Sequence, residues 1–380
     1  MTTRLRALFL SALMLLSLTA CGPKDPPASS ATPPDVSEPS VSVIAPEPEP
    51  EPVPEPEPEP EPAPEPEPAP VLPFINPLTG EGCETDISMK RPIAVMINNH
   101  KSAQPQLGIS QADIIYEVPA EGGITRMLAV FQDISDVGSI GTVRSARDYY
   151  VSLAYGMDAI YLHAGGSPKA YEVIKSWGIP ALDCVNGPYE GTLYWRDPAR
   201  RQSAGLEHSV LTSSEKIQKL FPTSNLRLDH KEGYSYPMSF TENAAPATGI
   251  QANTITVKYS NYKTGVFRYN AETDLYDVEQ YGGPYVDGNT GEQLTVKNVL
   301  ILSTDISQIK GDTAGRLSVR TTGTGSGKFA CGGKVENITW AKDSNSSPMR
   351  FFTMDGHELQ FGVGTTYINI IGGTASYGYE

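Results

Sequence analysis

From Pro46 to Pro70 proline occupies every second position, mostly alternating with glutamate. A stretch built this way cannot join a packed core. Proline fixes φ and lacks the amide donor that helices and sheets use, and glutamate brings little apolar surface to offset the entropy of ordering. Like charges at alternate positions extend the chain further, as polyproline II of about 3.1 Å per residue, or roughly 80 Å for these residues. The pattern predicts a disordered Pro/Glu-rich stalk over residues 21–72 and confines any fold to residues 73–380. Charge is divided in the same way. Residues 1–70 hold 12 of the 44 acidic residues and three of the 29 basic ones, so they carry nine of the fifteen net negative charges. The remainder is close to balance, which argues against the clustered basic face that nucleic-acid binding requires.

Ahead of the stalk, Arg4 and Arg6 precede an apolar run from Ala7 to Leu18, and Leu18-Thr19-Ala20-Cys21 closes it with small residues before a cysteine. The run is short for a bilayer span of about 20 residues and reads as a signal peptide over residues 1–20. It resembles bacterial lipoprotein signals. That resemblance implies cleavage before Cys21, lipidation of its thiol, and an anchor at the outer face of the cytoplasmic membrane. Three further cysteines, Cys83, Cys184 and Cys331, allow one disulfide with a spare thiol or none, and spacing does not choose between them. None lies in a CxxC pair, so a redox or zinc role is not expected.

The expected fold is α+β in two parts. Residues 73–240 read as a mixed α/β domain. Arg91 to Asn98 looks like a buried strand, and Asp113 to Val118 and Ile124 to Phe131 look like a hairpin around Gly122-Gly123. Ser145 to Tyr155 takes helical period, and Ala159 to Leu162 is a further buried strand. Ser167-Pro168 fits an N-cap and first helical position for a helix ending near Trp177, before Gly178. Residues 241–380 read as a mainly antiparallel β-rich domain, with short β-branched runs separated by turns such as Asp287-Gly288 and Asp355-Gly356.

The segments RPIAVMINNH (91–100), QADIIYEVPAEGGITR (111–126), IGTVRSARDYY (140–150) and HAGGS (163–167), with WRD at 195–197, EH at 207–208 and GSGKF at 325–329, resemble the YerB-like bacterial lipoproteins. The likeness spans essentially everything after the stalk. It implies two consecutive domains of uncharacterised function, the first α/β, and it implies no reaction. Relatives commonly place an asparagine after the histidine of the EH pair. This chain has Ser209, so a role that needs an amide there is not carried over.

The first domain gathers polar residues at strand ends: Asn98, Asn99, His100, Glu117, Glu121, Arg126, Arg144, Arg147, Asp148, His163, Arg196, Asp197, Glu207 and His208. Arg144 and Arg147 lie three apart. On one helix face their guanidinium forks could clamp a single anion, and a helix opening after Gly165-Gly166 would add backbone donors and a positive dipole end. Arg126, Arg144, Arg147, Arg196, His100 and His163 are therefore the expected ligand-binding set, for a phosphate or carboxylate of an envelope polymer or a partner. The competing expectation pairs the same arginines with Glu117, Glu121, Asp148 and Asp197 in a buried network. His208, Glu207 and Glu121 are the acid–base candidates if the chain is a cell-envelope hydrolase or transferase. Adjacent residues such as Glu207 and His208 do not face one another, however, and no GxSxG elbow is present. A protein-binding scaffold is the third class. No pair of histidines has the i, i+4 spacing of helical metal ligands, so neither metal nor cofactor is expected.

Two further patterns have ordinary readings. Gly323 to Lys328 lacks the first glycine and the hydroxyl of a phosphate loop, which leaves a glycine-rich turn. Tyr259, Tyr262, Phe267, Tyr269, Tyr276, Tyr281 and Tyr285 could stack on sugars, but are expected to pack sheets.

Overall fold

In the computed structural model, which describes residues 72–380, the apolar runs become strands of one long mixed sheet. The expected signal peptide, Cys21 and nearly all of the stalk lie outside the described residues.

The first half supplies β1 (Ile93–Asn98), β2 (Ile114–Pro119), β3 (Thr125–Phe131), β4 (Ser139–Gly141), α1 (Asp148–Gly156), β5 (Ile160–His163), α2 (Pro168–Trp177), β6 (Ala181–Asp183), β7 (Trp195–Arg196), α3 (Pro198–Ala204) and β8 (Val210–Ser213). The second half supplies β9 (Thr254–Lys258), β10 (Thr264–Asn270), β11 (Leu275–Gln280), β12 (Asn298–Ser303), β13 (Gly323–Cys331), β14 (Lys334–Lys342), β15 (Thr366–Ile371) and β16 (Ser376–Tyr379). β2 and β3 form the expected antiparallel hairpin. Ser167 caps α2 by accepting from the Ala170 amide, Pro168 opens it, and Gly178 closes it at φ 65°, where glycine bears no Cβ penalty.

Nine of the eleven strands of the long sheet run in the order β14-β13-β12-β15-β2-β3-β1-β5-β6. Residues 73–240 and 241–380 thus meet as neighbours within a single sheet. β15 lies between β12 and β2 and is parallel to both, so the second half, although mostly antiparallel, joins the first through parallel pairing. Alternation of side chains gives the sheet two faces. Val95, Ile97, Met127 and Ala129 face Ile255, Val257, Phe267 and Tyr276 of the second sheet, ordered β11-β10-β9-β16. Ala94, Met96, Leu128 and Val130 pack on the other side with Tyr149, Tyr150, Leu153, Ala170 and Val173 of α1 and α2.

Where a glycine-rich turn was expected at Gly323 to Lys328, the structure has the first six residues of β13, paired with β14 through nine residues. The glycines make room for neighbours. A Cβ on Gly325 would lie 2.5 Å from the Trp340 indole, and one on Gly327 would lie 2.8 Å from the Ile301 carbonyl.

Polar joints bind the halves. The Asp287 carboxylate accepts from the Gly108 and Ser110 amides and the Ser110 hydroxyl. Deeper, Glu117 of β2 meets Lys263 at 3.1 Å with each side chain 1% exposed. Glu117 also accepts from Tyr367 at 2.5 Å, Thr125 at 2.5 Å and the Asn99 amide at 2.9 Å, and Lys263 donates to Gln280 at 2.5 Å. Removing one partner of such a pair leaves an uncompensated buried group. Lys263→Ala is therefore expected to lower the unfolding free energy by about 3–5 kcal/mol in urea titrations. The Glu117→Gln/Lys263→Met double variant should recover most of that loss.

Candidate functional site

β1 ends at Asn98, followed by Asn99 and His100, and three polar systems lie near its end, the second and third sharing Arg144 and Glu207. In the first, Asn98 accepts from the His100 amide through Oδ1, which turns its Nδ2 toward His208 Nδ1 at 2.8 Å. A backbone N–H can only donate, so the orientation of the Asn98 amide is settled, and His208 Nδ1 must accept. His100 Nδ1 likewise accepts, from the Ser102 amide at 3.1 Å. With each Nδ1 accepting, each ring carries its hydrogen on Nε2, and the ring centroids lie 5.1 Å apart. Burial, then the nearby charge of Arg144, holds His208 below its ordinary value. Tyr262 stacks on His100 at 5.6 Å and meets Tyr281 edge-on, while the Tyr281 hydroxyl donates to the Asn99 carbonyl. Tyr262 and Tyr281 thus bring the second half of the chain onto the histidines. Tyr259, Phe267, Tyr276 and Tyr285 of the same aromatic run are buried between the sheets.

The second system is an arginine cluster. Helix α1 begins at Asp148, with Arg147 as its N-cap residue. Arg144 and Arg147 therefore lie in the extended segment before it and do not share a helical face. Arg147 Nε donates to Glu121 at 2.5 Å, and Arg126 approaches the other Glu121 oxygen at 3.3 Å while donating to the Ser145 carbonyl. Burial raises the Glu121 carboxyl, but the Arg147 hydrogen bond and the two guanidinium charges outweigh it and leave it below its usual range. Burial, aided by Arg147, lowers Arg126 to about 10. Arg144 turns the other way, donating to the Glu207 carbonyl at 3.1 Å and to its carboxylate at 2.5 Å. That hydrogen bond and the Arg144 charge hold Glu207 low. Glu207 and His208 diverge, one to Arg144 and the other to Asn98.

The third system is a cleft of about 410 Å3 lined by Arg144, Arg196, Glu207, Tyr171 and Asn186, and by Gly165 and Gly166. Arg196 donates to Glu190 at 2.8 Å and to the Leu206 carbonyl. The lead-in to α2 is fixed by Asp183, whose carboxylate accepts from the Gly165, Val185 and Asn186 amides and the Tyr171 hydroxyl. His163 lies buried behind this loop, donating through Nδ1 to the Gly165 carbonyl at 2.8 Å; burial, opposed by Asp183, lowers its pKa. Asp197 accepts from the Arg200 amide as the N-cap of α3. Asp148 stands in the first turn of α1, and burial raises its carboxyl.

Of the expected ligand set, Arg144 and Arg196 line the cleft. Arg126 and Arg147 converge on Glu121, His100 stacks on His208, and His163 sits beneath the Gly165 loop. Tyr171, Asp183 and Asn186 were not anticipated, since a tyrosine on a helix and acidic or amide residues in a turn carry no signal of their own. Cys83, Cys184 and Cys331 are free thiols. Among the described residues no group of three or more His, Cys, Asp or Glu side chains is gathered closely enough to hold a metal. None of the described helices is long and apolar enough to cross a membrane.

The fold and its polar sheet end define a two-segment α+β protein built on one shared sheet. Residues 78–227 match the model of the N-terminal domain of the DUF3048 proteins of unknown function, and residues 255–368 match that of the C-terminal domain. The chain belongs to this YerB-like family. It is 34% identical over 301 residues to the Bacillus subtilis (strain 168) protein named "Putative lipoprotein YerB", covering 78% of this chain and 85% of that one. The crystal structure of the YerB protein from Bacillus subtilis superposes with a TM-score of 0.70 at 30% identity, covering 80% of this chain and 99% of that chain.

A histidine whose folded pKa lies below its unfolded 6.5 contributes stability that is full above about pH 6.5 and is lost as pH falls through the folded value. His163 and His208 both have this sign, and the depressed carboxyls of Glu121 and Glu207 extend it to lower pH. Asp113, whose carboxyl burial pushes up to about 7, works in the opposite sense, so the histidine contribution is read by comparing urea titrations of the parent chain and His208→Gln between about pH 7.5 and pH 5. The variant should lose less stability, or gain more, than the parent chain as pH falls through that window.

Proposed function

We propose that this chain is a lipid-anchored, extracytoplasmic protein that binds an anionic group of an envelope ligand or partner in the cleft of Arg144 and Arg196. The lipobox at Cys21, the stalk and the lipoprotein relative support the anchor and the location. The observation that carries the binding reading is the state of Arg144. Its Nε is buried without a hydrogen-bond partner, and its outer nitrogens are held by Glu207, whose side chain is 69% exposed. An exposed ion pair contributes about 0–1 kcal/mol. A phosphate or carboxylate could therefore displace the Glu207 carboxylate at little cost and gain Arg196 together with the positive end of α2, whose lead-in glycines line the same cleft.

The alternative of acid–base catalysis by His208, Glu207 or Glu121 has less support, since arginines hold both carboxylates and Glu207 turns to Arg144 while His208 turns to Asn98. Arg126 and Arg147 have a structural role in this reading, neutralising Glu121 beneath the cleft.

The test is thermal melting of the detergent-solubilised full chain with inorganic phosphate, glycerol 3-phosphate and citrate. Binding to the native state raises the melting temperature by mass action. Arg144→Ala should remain folded and bind the active anion about ten- to a hundredfold more weakly, as expected for losing a hydrogen-bonded charge worth about 1.5–3 kcal/mol. No shift with any of the three anions, or an equal shift in the variant, would overturn the reading.

A further inference from the structure

A second and larger cleft, of about 610 Å3, opens where α1 and α2 end. Its volume is within the range of sites that enclose small organic ligands, roughly 300–1,000 Å3. Tyr155 and Trp177, one from the last turn of each helix, lie nearly parallel in its wall, with ring centroids 5.7 Å apart and planes inclined by 14°. Both are half-buried. Tyr234 lines the cleft as well, with one face covered by His230 at 3.6 Å.

The arginine charges around these rings are already matched. Arg91 donates to the Asp158, Ala159 and Arg227 carbonyls. Arg227 holds the Asp158 carboxylate through both outer nitrogens, at 2.8 and 2.6 Å. Arg350 pairs with Glu358. The arginines at this cleft are thus bound to carbonyls and carboxylates, in contrast to Arg144 with its unpartnered Nε. The side chains left without a hydrogen-bond partner among the described residues include one cation, Lys231, two carboxylates, Glu232 and Asp343, and the hydroxyl of Ser235. Together they offer donors and acceptors without a cationic surplus.

A stacked aromatic pair with an outer ring face open beside such a rim suits a ring with apolar C–H faces and a hydroxyl-bearing edge. It does not suit a phosphate. We infer that this cleft binds an uncharged saccharide chain, with one sugar ring laid on the face that the stacked Tyr155–Trp177 pair leaves open to the cleft and its hydroxyls held by Lys231, Glu232, Ser235 and Asp343. The site stands at the opposite end of α2 from Arg144 and does not depend on the anion-binding reading.

The three tryptophans give the test its readout. Trp340 is buried in the sheet core at 1% exposure, Trp195 lies on β7 against Lys216, and Trp177 is in the cleft. Titrating the N-acetylglucosamine tetramer and cellotetraose into the detergent-solubilised full chain should give, with at least one of them, a saturable change in tryptophan fluorescence and a matching calorimetric isotherm. Trp177→Phe should remove most of the optical change and retain heat of binding. Trp177→Ala should weaken affinity at least tenfold, and Ser235→Trp, on an exposed loop, should block the cleft with every other wall residue in place. Inorganic phosphate should leave the sugar affinity unchanged. No saturable binding of either oligosaccharide, equal affinity in both Trp177→Ala and Ser235→Trp, or competition by phosphate would overturn the inference.

Discussion

The Glu117–Lys263 pair is the constraint on which the rest of the molecule depends. An ammonium and a carboxylate removed from water at the contact of two sheets cost several kcal/mol unless each finds partners. Here the partners come from across the chain: Asn99 and Thr125 from the first half, Tyr367 and Gln280 from the second. A slip of β2 by one residue would turn Glu117 to the helical face and leave Lys263 alone in the core. The pair therefore specifies register more than it adds stability. It also fixes the segment that carries Tyr262, and so the face that Tyr262 presents to His100.

Much of this fold was legible because its local signals agree with its packing. The Ser167-Pro168 start and Gly178 stop marked α2 to the residue, and β-branched runs around Gly122-Gly123 marked the β2–β3 hairpin. What local pattern could not give was the pairing of β15 with β2, since parallel neighbours about 250 residues apart share no turn. The strand at Gly323–Cys331 was hidden because glycine is a poor strand former on average, and the reason for it here is Trp340, a residue on the next strand. The start of α1 was placed three residues early because Ser145 and Arg147 tolerate helical period, yet Ala146 bridges to Gly166 and stays extended.

The polar residues of the site were visible as residues and not as pairs. Strand-end motifs pointed to Asn98, His100, Arg144, Glu207 and His208, and all five gather at the end of β1. That Arg126 and Arg147 close on Glu121 while Arg144 turns to Glu207 follows from an extended backbone at 142–147, whose successive side chains leave on opposite sides. Tyr262 and Tyr281 reach the histidines through the sheet-on-sheet packing, a relation that no single segment encodes.

The position of β15 also governs the order in which the molecule can be assembled. Synthesis delivers β2, with its hydrogen-bonding edge, long before residues 366–371 exist to cover it. During that interval the first half carries an exposed strand edge of the kind that pairs with other chains. Nucleation that waits on so distant a segment is slow, because loop closure precedes the contacts that reward it. The first half thus keeps an uncovered edge until β15 arrives, and a truncation that removes residues 366–371 takes a central strand out of the sheet.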